Sequence, residues 1–194
     1  MRISFTNADL RVATVSQKRG EELTAEGYLT RNLLNVFLVM IANVSVGDRE
    51  GTAFLKADLF SDIGVPVEEA WNTAILNTAK EAVIKSLCEV TTGEAGEGPL
   101  VIMSPNLRYG AGILACPEFL RNLWTFLGDF YIIPSSVHEV IVFPKGEEDD
   151  EINLDFLKEM VVSANANTEC VSEHDFLSNS VFEYTVGKGL RVAA

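Results

Sequence analysis

Two apolar runs with almost nothing between them set the terms for how this chain can fold. Phe130 to Ile133 and Glu139 to Phe143 are apolar at nearly every successive position. Strand side chains alternate between faces, so runs of this kind need cover on both sides and belong in the middle of a sheet. Pro134-Ser135-Ser136-Val137 joins them. So short a connection fits an antiparallel pair, because parallel neighbours need a crossover of a dozen residues or more.

The rest of the second half supplies partners and cover. Leu100 to Met103 reads as a strand, Ser104-Pro105-Asn106 as a turn, and Tyr109 to Ala115 as a further strand. Pro117 opens a helix with Phe119, Leu120, Leu123, Trp124 and Leu127 on one face, and Gly128 closes it. After the acidic run Glu147 to Glu151, Leu154, Leu157, Val161 and Ala164 share a helical face. Val181 to Thr185 reads as the last strand, followed by a frayed tail.

The first half is less regular. Residues 1–30 hold a short strand and a helical or irregular segment, with Gly20 and Gly27 as breakers. Leu33 to Val44 reads as a long buried strand, and Thr52 to Lys56 returns beside it after the turn Gly47 to Gly51. Pro66, Glu68 and Glu69 suit the start of a helix, where a missing N–H is harmless and the dipole favours anions. Its stripe Val67, Ala70, Trp71, Ala74 and Thr78 continues through Ala79, Val83 and Leu87. Trp71, Trp124, Phe119, Phe126 and Tyr131 read as core.

These elements define an α+β fold: a mixed, largely antiparallel sheet with helices packed on it, in a single domain. Within residues 1–194, the glycine-rich stretch 93–98 reads as a flexible connector between an N-terminal lobe, 1–92, and a C-terminal lobe, 99–194. The first thirty residues read as peripheral. At 194 residues, folding buries about 70% of the unfolded surface, so no staple is required.

Charge narrows the partners. Fifteen Lys and Arg stand against 28 Asp and Glu, a net −13. Such a surface repels phosphate backbones and anionic bilayers, so neither nucleic acid nor membrane is expected as a partner. Cys88, Cys116 and Cys170 form no disulfide framework, which points to a reducing compartment. The N-terminus lacks the apolar core of a signal peptide, and the expected location is cytoplasmic.

Several constellations invite chemistry. Ser135, Ser136, His138 and Glu139 place hydroxyls, an imidazole and a carboxylate within five residues. In a strand His138 and Glu139 point to opposite faces, so Glu139 cannot orient that imidazole as a catalytic triad requires. A tight turn with serine hydroxyls bonded to local backbone explains the stretch more simply. A metal site would need His138, His174 and Asp175 brought together by the fold, since no HExxH or CxxC spacing is present. Gly110-Ala111-Gly112-Ile113-Leu114-Ala115 fits the form of a dinucleotide loop, but Pro117 and the absent acidic residue twenty positions on speak against it. Close packing against a small-residue strand is the simpler reading. The acidic run lacks the ligand spacing of a calcium loop. No cofactor is expected.

The stretch Phe130-Tyr131-Ile132-Ile133-Pro134-Ser135-Ser136-Val137-His138-Glu139-Val140-Ile141-Val142-Phe143-Pro144 resembles the signature of a bacterial, Firmicutes-type family known as domain of unknown function 5688. Tyr109-Gly110-Ala111 and Leu177 to Tyr184 are similar to flanking parts of that family, and Gly51 to Ala53 and Val67 to Thr78 match more weakly. The resemblance implies a conserved bacterial domain and carries no activity. The residues themselves favour a non-enzymatic binding or adaptor domain acting on protein partners. The alternative is a hydrolase or metal-assisted enzyme around Ser135, Ser136, His138 and Glu139.

Overall fold

The computed structural model describes residues 5–46, 49–146, 152–166 and 171–193. It is α+β, with two antiparallel sheets, each carrying helices. The first sheet is built from β1 (Leu10–Ser16), β2 (Thr30–Leu33), β3 (Val36–Val46) and β4 (Arg49–Phe54). The long β3 pairs with β1 along one side, while β2 and β4 share its other side end to end. One face of this sheet (Leu10, Val12, Met40, Ala42) packs on α2 (Ala57–Ile63) and α3 (Val67–Glu81) through Phe60, Trp71 and Ala74. The opposite face meets α1 (Gln17–Ala25), whose Leu23 packs on Val15 and Val39.

The second sheet runs in the order β10-β9-β7-β8-β6-β5. Its strands are β5 (Val83–Ser86), β6 (Leu100–Met103), β7 (Phe130–Ser136), β8 (Glu139–Pro144), β9 (Phe182–Thr185) and β10 (Gly189–Val192). The two apolar runs are β7 and β8, antiparallel neighbours at the centre, as their pattern demands. Phe130, Ile132, Val140 and Val142 face a core closed by Leu120 and Leu123 of α5 (Pro117–Leu127). Tyr131 and Ile133 face the other way, onto Leu157 and Val161 of α6 (Leu154–Ala166).

Between the sheets lies a 3-10 helix, Gly110–Ala115, with all six residues buried. The sequence pattern reads as a strand here, Tyr109 to Ala115, and the structure differs. Two glycines explain the difference: a Cβ at Gly110 would overlap the backbone of His138 and Met103, and one at Gly112 would overlap the Val12 carbonyl. The segment is a wedge that touches both sheets where only bare backbone fits. Ala115 belongs to the core of the first sheet and Ala111, Ile113 and Leu114 to that of the second.

Other expectations are corrected. Residues 10–25 are not peripheral, since β1 is an integral strand whose Leu10 and Ala13 are fully buried. Gly20 does not break α1 but lets it lie against Phe37, which leaves no room for a Cβ. The long strand starts at Val36, because Leu34 turns the chain with a left-handed φ of 56°. The helix from Val67 stops at Glu81, where Ala82 turns extended, and β5 and α4 (Leu87–Thr92) follow. Residues 83–92 therefore travel with the second sheet, and the 93–98 stretch lies inside the β5–β6 hairpin connection. The tail pairs as β10. Ala164 is exposed, and Phe126 is 86% exposed rather than core. The acidic run 147–151 and Cys170 lie outside the described residues.

Polar side chains finish the joins. The outer edge of β1 meets α3, where the Val12 N–H donates to Thr78 Oγ1 at 2.9 Å and the Asn77 amide donates to the Leu10 carbonyl. Arg11 pairs with Glu81 across the same seam. Glu183 on β9, nearly buried, takes Lys145 at 2.6 Å and Arg191 of β10.

Candidate functional site

His138 sits in the turn between β7 and β8, and both its ring nitrogens are engaged. The Tyr109 backbone N–H donates to Nδ1 at 3.3 Å. The proton therefore resides on Nε2, which donates to Asp175 Oδ1 at 3.0 Å. Asp175 Oδ2 accepts from the Ser172 hydroxyl at 2.6 Å. That hydroxyl first, and the imidazole after it, hold the Asp175 carboxyl below its ordinary value. The Val137 N–H donates to the Asp175 carbonyl, completing a clip that ties the β7–β8 turn to the 172–175 turn and to the wedge.

The serines serve the turn. Ser136 Oγ accepts from the His138 N–H at 3.0 Å. Ser135 Oγ lies 3.4 Å from Glu139 Oε1, so the carboxylate faces the serine and not the imidazole. The register slips between Ile133 and Ser136, a bulge that accommodates the proline between them. Among the described residues no hydroxyl donates to a ring nitrogen of His138, which a serine nucleophile would have to do. His174 is exposed beside Asp175, and no group of three or more His, Cys, Asp or Glu converges as a metal site among the described residues. Burial pushes the Cys116 thiol up to about 12, which makes it a core residue and not a nucleophile.

Next to this clip the molecule opens. A cleft of about 890 Å³ runs from the start of α1 (Lys18, Arg19) past Phe54 and Tyr109 to His174 and Phe176. A second, narrow one of about 40 Å³ continues from Tyr109 toward Asn43, Thr52 and Arg108. Tyr109 is a wall of both, and we read the two together as one groove with that residue at its waist. Its floor is the face of the β3–β4 hairpin where Asn43 opposes Thr52 and Ile41 opposes Phe54. That half of the face lies beyond the reach of α1. The waist is aromatic: Tyr109 meets the Phe54 ring edge-on at 5.9 Å and the His138 ring at the same distance. Burial raises the Tyr109 phenol, so the hydroxyl stays protonated as a donor at the waist.

The rim opposite the floor is strained. Leu107 and Tyr109 both have φ 56°, a left-handed conformation that costs a non-glycine residue of order 1 kcal/mol or more. Ser104 Oγ holds this loop by accepting from the Arg108 N–H at 2.9 Å. No local pattern of residues signals this rim. Tyr109 stands at the head of an apparent strand and Phe54 in a hairpin arm, while Arg108 falls between the turn at Ser104–Asn106 and that strand.

What the fold defines is thus an α+β domain with a groove between sheet face and loop, stabilised by an internal His–Asp clip. The chain belongs to the Family of unknown function (DUF5688), whose model matches residues 15–186. No curated protein and no solved structure matches it.

Proposed function

We propose that this chain is a non-enzymatic binding domain of the bacterial cytoplasm, acting on a peptide segment of a protein partner through the groove at Tyr109. The observation that carries this reading is the shape and lining of the groove. It offers about 890 Å³ beside an aromatic waist, with amides and hydroxyls of Asn35, Ser178 and Ser180 along its length. Apolar anchors flanked by hydrogen-bonding groups are what an extended peptide needs, since its backbone must be satisfied while a side chain is buried.

The enzymatic alternative around Ser135, Ser136, His138 and Glu139 has less support. A general base needs a free nitrogen lone pair, and the lone pair of His138 is taken by the Tyr109 amide. The acidic surface supports a protein partner over a nucleic acid or a bilayer. No helix among the described residues is long and apolar enough to cross a membrane.

Selection of random twelve-residue peptides on the protein tests the reading. Recovered peptides should shift the amide resonances of residues 52–54, 109 and 173–180, and should lose binding to Thr52→Trp, which fills the floor. Peptides that bind wild type and Thr52→Trp equally would sink it.

A further inference from the structure

We infer that the groove selects a peptide carrying a carboxylate side chain close to an apolar anchor, with Arg108 as the residue that reads the carboxylate; this rests on the groove being a peptide site. The argument is one of charge. The whole chain has nearly twice as many acidic as basic residues, 28 to 15, yet the groove reverses the balance. Arg11, Lys18, Arg19 and Arg108 line it, against Glu22, Glu81 and Glu173. Three of those cations already face those carboxylates: Arg11 with Glu81, Arg19 with Glu22 at 3.0 Å, and Lys18 with Glu173 at 3.9 Å. Arg108 is left over. Among the described residues no carboxylate pairs with it, although it is exposed in a strongly acidic protein.

The placement of Arg108 is built and not incidental. It stands between Leu107 and Tyr109, the two strained residues of the rim, and its backbone N–H is pinned by Ser104. Strain held in place by hydrogen bonds fixes a side chain's origin before a ligand arrives, which lowers the ordering cost of binding. A guanidinium presents paired N–H donors that fit a carboxylate in two parallel bonds. Its neighbour Tyr109 and the Phe54 ring supply the apolar surface one residue away. Carboxylate and anchor must therefore sit close together on the ligand. A polyanion is disfavoured, because the chain as a whole carries a net charge of −13.

Three immobilised ten-residue peptide libraries test the inference. Each has a fixed central Phe, with Asp, Asn or Lys fixed two positions after it and the other positions random. The Asp library should retain labelled protein at least about five-fold better than the Asn library, a difference of about 1 kcal/mol. Arg108→Gln, a surface change checked for folding by circular dichroism, should erase that preference. Raising salt should shrink it. Equal retention by the Asp and Asn libraries, or a preference that survives in Arg108→Gln, overturns the carboxylate assignment. The peptide reading still stands in that case if Thr52→Trp abolishes retention by both. Retention by none of the libraries above the Thr52→Trp level overturns both together. Tighter binding of a single-stranded oligonucleotide than of the Asp library also overturns the assignment.

Discussion

The imidazole of His138 shows how a residue suited to chemistry can be spent on architecture. Accepting through Nδ1 and donating through Nε2, it spans the wedge and the 172–175 turn. Its partner Asp175 yields a pH prediction with a defined sign. The folded carboxyl lies below its ordinary value of 3.8, chiefly through Ser172 and then through His138. A folded value below the unfolded one means that the ionised form stabilises the fold. That contribution is present above the unfolded value and is lost as pH falls through the folded one. Asp175→Asn should therefore lower the urea midpoint at pH 6 and converge on wild type as pH drops below about 4. A gap that stays constant down to pH 3 would show that the carboxylate contributes nothing through its charge. The sequence named His138 and Asp175 as candidates but could not join them, because 37 residues separate them and the contact depends on how the 172–175 turn docks.

Among the elements, the 3-10 wedge places the tightest demand on side-chain size. A Cβ at Gly112 would overlap the Val12 carbonyl oxygen, a backbone atom that cannot rotate away. Gly112→Ala should cost at least about 3 kcal/mol, read as a fall in urea midpoint with unchanged slope. A loss under about 1 kcal/mol would mean that the wedge can slide. This element was misread from sequence for a physical reason: small and apolar residues in alternation satisfy a strand and a buried 3-10 turn alike. The end of α3 was missed because no Gly or Pro marks it, and Val83 keeps the helical stripe while being β-branched enough to start β5. The tail escaped notice because β10 is only four residues long and pairs with β9 in a register that sets Arg191 opposite Glu183, a contact invisible in local composition. By contrast β7 and β8 were legible, since continuous apolar runs around a four-residue link permit few other arrangements.

Taken whole, the molecule is two sheets that share one seam. Leu33 and Ile75 pack against the cores of both, and the wedge contributes to each. Neither sheet can lose its neighbour without exposing apolar surface of its own, so thermal unfolding should be a single transition. Calorimetric and van't Hoff enthalpies should agree, and two resolved peaks would show that the sheets melt separately. The same seam bears on the groove. Its floor is carried by the first sheet and its rim by a loop leaving the second, so the wedge sets the gap between them like a spacer between two jaws. A molecule lodged there grips both jaws at once. Its binding energy would then act against separation of the entire pair, and the melting temperature of the full chain would climb with the logarithm of ligand concentration.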